Sequence, residues 1–144
     1  MTESGPSDRF LALAVGQSAT MTRTVSESEI VLFAAITGDS NPVHLDDAQA
    51  QASRFKGRIA HGMLTAGFVS ATMAMQLPGP GSIYLSQSLR FLRPVRIGDA
   101  ITTTVEIIEL LPDQRHARLS TECRNQSGKL VLDGEAVILI PREG

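Results

Sequence analysis

The sequence predicts an α+β domain in which a long curved antiparallel sheet wraps one central, buried helix. Three observations carry that expectation. Residues 62–76, Gly-Met-Leu-Thr-Ala-Gly-Phe-Val-Ser-Ala-Thr-Met-Ala-Met-Gln, hold no formal charge and put apolar or small side chains on every face. A helix apolar all round is buried or lies in a membrane, and this one spans only about 22 Å, short of the roughly 18 to 20 apolar residues a membrane span needs. Pro78-Gly79-Pro80-Gly81 then ends the run abruptly, because proline removes a donor from the helix ladder and glycine frees the turn. Beyond it the chain alternates apolar and polar residues in segments joined by tight turns, the pattern of antiparallel strands.

Taken in order, the polar stretch Met1 to Asp8 reads as a loose end. Phe10 to Val15 is apolar without a periodicity that assigns it, and Gln17 to Thr24 alternates as a first strand. Ser26 opens a helix: Ser26 and Glu29 fit a capping box, and Val25 with Ile30 fits the hydrophobic staple across it. Ile30, Phe33, Ala34 and Thr37 line one face at helical spacing, and Gly38 stops the helix. A loop from Gly38 to His44 follows. Leu45 to Ser53 is expected as a short helix with Asp46 and Asp47 in its first turn, and Arg54 to Ala60 as a basic, irregular link. Past the proline-glycine turn, Ile83, Leu85, Leu89 and Phe91 alternate with Tyr84, Ser86, Ser88 and Arg90, which predicts one half-buried strand. Pro94 to Asp99 is a bend. Ile101, Thr103, Val105 and Ile107 mark the next strand, and Pro112-Asp113 the turn after it. Ala117, Leu119, Thr121 and Cys123 face one way against His116, Arg118, Ser120, Glu122 and Arg124. Asn125 to Gly128 turns the chain into a last strand carrying Leu130, Leu132, Ala136, Ile138 and Ile140.

Composition narrows the function classes. A chain of 144 residues has room for a real core. Its formal net charge of −2 gives no basic footprint for nucleic acid and no acidic tail. The single cysteine, Cys123, excludes an internal disulfide, and three histidines without metal-site spacing predict no metal. No signal-peptide pattern opens the chain, so a cytoplasmic location is expected, with neither membrane nor nucleic acid as partner.

Two motifs carry the chemistry. Phe33-Ala34-Ala35-Ile36-Thr37-Gly38-Asp39-Ser40-Asn41-Pro42-Val43-His44 is followed by Ala60-His61-Gly62-Met63-Leu64. Together they resemble the MaoC-like (R)-specific enoyl-CoA hydratases, a hot-dog-fold family, with Gly-Asp-x-Asn-Pro-x-His the specific part of the match. The resemblance covers residues 10–141 and leaves 1–9 as a flexible N-terminus. It implies hydration of a trans-2-enoyl-CoA to the (R)-3-hydroxyacyl-CoA, no metal or organic cofactor, and a homodimer with the sheets joined edge to edge. The CoA carrier and the (R) outcome come from the resemblance alone.

The residue types suit that chemistry. Hydrating a 2-enoyl thioester needs a base to deprotonate water as it attacks C3 and an acid to protonate C2. Asp39 and His44 form a His–carboxylate pair in one loop stiffened by Pro42, and either can take the proton. The enolate oxygen needs a donor, and a helix start offers unpaired N–H groups. Gly62, with Met63 beside it, stands at that start, and the resemblance likewise puts the thioester oxygen on the Gly62 amide. Gly62 equally suits close helix–sheet packing, and His61 reads as a polar residue closing the helix start. Ser70 corresponds to a serine that assists the site in the polyhydroxyalkanoate-linked members, or else it bonds back to a carbonyl four residues earlier. Met73 lines the acyl slot or fills the core. Arg54, Lys56, Arg58, Arg93 and Arg96 are candidates for the carrier's phosphates or a solvated basic face. The alternatives are a dehydratase acting on acyl carrier protein, a hot-dog thioesterase, and an acyl-thioester binder without activity. A thioesterase would need a carboxylate on or near the central helix, which residues 62–76 lack, and a binder would lack the Asp39–His44 pair.

Overall fold

Local signals set the elements at the head of the chain. In the computed structural model, which describes residues 8–142, Ser26 caps helix α1 (Glu27–Thr37). Its hydroxyl accepts from the Glu29 amide at 3.2 Å while the Glu29 carboxylate accepts from the Ser26 N–H, the expected capping box. Val25 and Ile30, the two sides of the staple, are fully buried. Gly38 closes α1 in the left-handed region at φ 83°, its N–H on the Ala34 carbonyl. Ile30 and Ala34 are buried and Phe33 half-buried, but Thr37 is exposed, its hydroxyl bonded back to the Phe33 carbonyl.

Before α1, the unassigned apolar stretch forms a 3₁₀ turn, Phe10–Ala12, that sends Phe10 into the core and leaves Leu11 and Val15 outside. Asp8 belongs to the stretch expected to be loose. It is instead gripped by the Arg115 guanidinium at 2.7 and 2.8 Å, and those hydrogen bonds hold its carboxyl at about 2. Residues 1–7 of that stretch lie outside the described ones.

Six strands make one antiparallel sheet: β1 (Ser18–Thr24), β2 (Ile83–Gln87), β3 (Arg90–Phe91), β4 (Ala100–Leu111), β5 (His116–Arg124) and β6 (Leu130–Leu139). Their order is β1-β4-β5-β6-β2, with β3 also on β6. β4 and β5 keep the alternation read from the sequence: Ile101, Thr103, Val105 and Ile107, and Ala117, Leu119, Thr121 and Cys123, are all buried. They pack with Ala136 and Ile138 of β6 against Val69 and Met73 of the long helix α4 (Gly62–Met75). Each such aliphatic side chain, fully buried, contributes about 1.5–3 kcal/mol. One helix against one face of one sheet is the expected α+β hot-dog architecture.

Three local expectations need correction. The segment 83–91 is interrupted rather than continuous: β2 and β3 follow β6 in one register, Gln87 against Ala136 and Arg90 against Asp133, but the strand lapses at Ser88 and Leu89, and Ile83, Leu85 and Phe91 are 45%, 46% and 54% exposed. The break is built by Gly134 on β6, where a Cβ would stand 1.8 Å from the Ser88 carbonyl oxygen. The chain after Gly38 is not a loop followed by one helix. It folds as two short helices, α2 (Pro42–Leu45) and α3 (Asp47–Ala52), because Asn41 and Asp46 each cap one, accepting from the Val43 and Gln49 amides. Nor is α4 covered all round. Thr65, Ala66, Val69, Thr72 and Met73 are buried, whereas Met63 and Met75 on the side away from the sheet are 56% and 64% exposed. Among the described residues no helix is long and apolar enough to cross a membrane.

Candidate active site

The site forms where α2 meets the link that leads into α4. Pro42 fits the first position of α2, where a missing N–H costs nothing, and the four-residue helix carries His44 inward until it is 8% exposed. Asp39 stays exposed before it, one carboxylate oxygen accepting from the Asn41 amide at 3.2 Å. Asp39, His44 and His61 each place a carboxylate oxygen or ring nitrogen within 4.8 Å of the others. The expected pairing of Asp39 with His44 is therefore present, and a third side chain joins it.

His44 is fixed on three sides by residues 58–61. Its Nδ1 lies 2.8 Å from the Ile59 carbonyl, and a carbonyl only accepts, so Nδ1 carries a proton and the lone pair of the imidazole form is on Nε2. The Arg58 Nε–H donates to the His44 carbonyl at 2.8 Å. The His61 ring stacks on the His44 ring, centroids 3.8 Å apart and planes 27° from parallel. His61 is 2% exposed and occupies the N-cap of α4, the helix start where the sequence put it, although its side chain makes no capping bond. Its Nε2–H instead donates to the Asp39 carbonyl at 2.9 Å. The sequence held no local signal for this, since His44 and His61 meet only through the tertiary fold.

Beside the cluster opens a cavity of about 520 Å³, lined on one side by Asp39, His61, Gly62, Met63 and Thr65, and on the other by Phe91 and Val131 with Leu132. Gly62 stands first in α4, where a backbone N–H has no acceptor within the helix. Packing also favours glycine there: a Cβ would come within 2.7 Å of the Phe91 ring, which would have to swing aside. Gly62 and Met63 both line the cavity wall.

Ser70 and Met73 are not among the residues lining this cavity. Ser70 is half-buried on the flank of α4, and the bond back to a carbonyl is made by Thr72, to Phe68 at 2.8 Å. Met73 is 1% exposed within the core. The basic candidates divide. Arg54 and Arg93 line the cavity, and Lys56 does not. Arg58 is 7% exposed and bound to Glu27 and His44, and Arg96 donates to the Phe55 carbonyl. The Asp39–His44–His61 group has the composition of a metal site but not the shape. Two rings stacked 27° from parallel do not bring their planes together within a ligand's reach of one ion.

Residues 12–126 match the family model described as a MaoC like domain. The chain is 50% identical over 135 residues to the (R)-specific enoyl-CoA hydratase of Rhodospirillum rubrum, across 94% of this chain and 93% of that one. It superposes on the unliganded R-hydratase PhaJ1 of Pseudomonas aeruginosa with a TM-score of 0.88 and 51% identity, covering 93% of this chain and 86% of that one. The (R)-hydratase of A. caviae involved in PHA biosynthesis gives a TM-score of 0.87 and 45% identity, over 90% and 98% of the two chains.

Proposed function

The chain belongs to the MaoC-like domain family, and we propose that it adds water across the double bond of a trans-2-enoyl-CoA to give the (R)-3-hydroxyacyl-CoA. The observation that carries this reading is the nearness of Asp39 and His44 at a cavity whose wall holds Asp39 and the first residue of α4, with His44 set behind His61 and off the lining itself. Water held between the Asp39 carboxylate and His44 Nε2 loses a proton to the pair as its oxygen bonds to C3. The π electrons move onto the thioester oxygen, where the Gly62 amide receives the charge, and the pair returns a proton to C2. A donor of this kind supplies about 3 kcal/mol to a transition state. The guanidinium groups of Arg54 and Arg93 on the cavity wall suit the phosphates of the carrier. No metal or organic cofactor has a step to perform.

One assay separates this from the rival classes. Chelator-treated protein is mixed with crotonyl-CoA while enoyl absorbance and free thiol are followed together. Loss of the enoyl signal without thiol release, giving an (R)-alcohol that a stereospecific dehydrogenase oxidises, is the expected result. Thiol release with the double bond intact makes the protein a thioesterase, and neither change makes it a binder. An (S) product would overturn the stereochemistry alone, and the same panel on acyl carrier protein tells the two carriers apart.

The working form is a homodimer in this reading. β2 ends the sheet with Ile83, Tyr84 and Leu85 all at least 40% exposed, and the outer side of α4 lies open beside Met63. Light scattering at micromolar concentration is expected to give twice the chain mass, and a monomer mass would remove this part of the proposal.

A further inference from the structure

Within that hydratase reading, we propose that His61 is a positioning residue that holds both halves of the Asp39–His44 pair. Two contacts argue for it. The His61 Nε2–H takes the Asp39 main-chain carbonyl at 2.9 Å, fixing the chain that presents the carboxylate. The His61 ring lies against His44 at 3.8 Å, closing the face of an imidazole already pinned at Nδ1 by Ile59. Behind it, the Phe33 ring stands 4.7 Å away at 51°, so His61 is itself wedged between α1 and His44.

The arrangement carries a cost that a purely structural residue would not. With the proton on Nε2, His61 Nδ1 is a buried acceptor without a partner. A phenylalanine would fill the same slot and leave no orphan atom, but it has no N–H for Asp39. An asparagine keeps a donor near that carbonyl but has no ring to lay on His44. Histidine does both, and the unpartnered nitrogen follows from it. His61 does not have to touch the substrate for this. Its effect runs through the placement of two other groups, and displacement of about 1 Å in such a pair costs up to roughly 100-fold in rate.

The first test needs no variant. Nitrogen-15 histidine spectra of the folded protein are expected to show neutral His61 protonated on Nε2 and neutral His44 protonated on Nδ1, opposite tautomers on adjacent rings. A His61 protonated on Nδ1 would overturn the proposal. That spectrum stands whether or not crotonyl-CoA is hydrated, so failure of the assigned activity and failure of this inference are told apart. The second test compares His61→Phe and His61→Asn. Each is expected to lower kcat on crotonyl-CoA by about 10- to 100-fold with KM within about two-fold, because Arg54, Arg93 and the Gly62 amide remain. In each folded variant the His44 ring signals should shift or broaden as its orientation loosens. A kcat within two-fold of the parent's would leave His61 as filler, and a rate loss with unchanged His44 signals would make it a direct contact on the cavity wall; either overturns the proposal.

Discussion

Asp39→Asn and His44→Gln are each expected to lower kcat on an enoyl thioester by at least about 100-fold, the lower end of the 10²- to 10⁴-fold that a general acid or base supplies. The two substitutions differ in what else they disturb. Asp39 is exposed, and the bond it gives His61 comes from the main chain, so Asp39→Asn should leave the melting temperature within about 2 °C. His44 is buried, bonded to Ile59 and stacked, and its loss is expected to cost about 1–3 kcal/mol as well. Rates are therefore compared where circular dichroism reports both variants folded. A folded variant that turns over near the parental rate takes that residue out of the chemistry.

Gly134→Ala is expected to lower stability by at least about 3 kcal/mol, beyond the middle of the overpacking range, because the clash is with backbone. The added methyl would meet the Ser88 carbonyl oxygen at 1.8 Å and its carbon at 2.7 Å. Ser88 cannot simply step back. Its N–H donates to the Glu135 carbonyl at 2.8 Å, and its hydroxyl accepts from the Glu135 N–H at 3.0 Å, so both chains are tied at the crowded point. A urea midpoint matching the parent's would mean that the break between β2 and β3 relaxes freely, and a shifted midpoint with unchanged slope is the expected outcome.

That break also marks where the sequence stops being legible. The alternation from Ile83 to Phe91 is real, but alternation records which side of a pleat a residue occupies and not whether a neighbouring strand pairs with it. The cause sits on another strand, at Gly134, and a glycine inside a strand pattern was the available signal. α1 was fully legible because capping box, staple and glycine stop are all local to it. α2 was too short for any periodicity, although Asn41 followed by Pro42 is a helix start by chemistry. The uncharged run at 62–76 revealed a helix against the core but not which side would stay open, since small side chains without charge suit either surface. In the site, Asp39 with His44 was readable from one motif and Gly62 from the next. His61 was legible at the start of α4 but its stack on His44 was not, because a ring stack between residues from two segments leaves no trace in either alone. Met73 fell on the core side of the choice that its spacing left open.

The three bonds that build the pair share a feature. Arg58, His44 and His61 supply the donors, and the acceptors are the main-chain carbonyls of His44, Ile59 and Asp39. Every amino acid owns that carbonyl, so the information in these three bonds is carried by the donors; the Ile59 side chain takes no part in them, and the Asp39 side chain holds only the Asn41 N–H. On the proposed mechanism, a substitution at Asp39 removes the chemistry and leaves these three bonds in place. On that mechanism, a single codon separates a catalyst from an acyl-thioester holder.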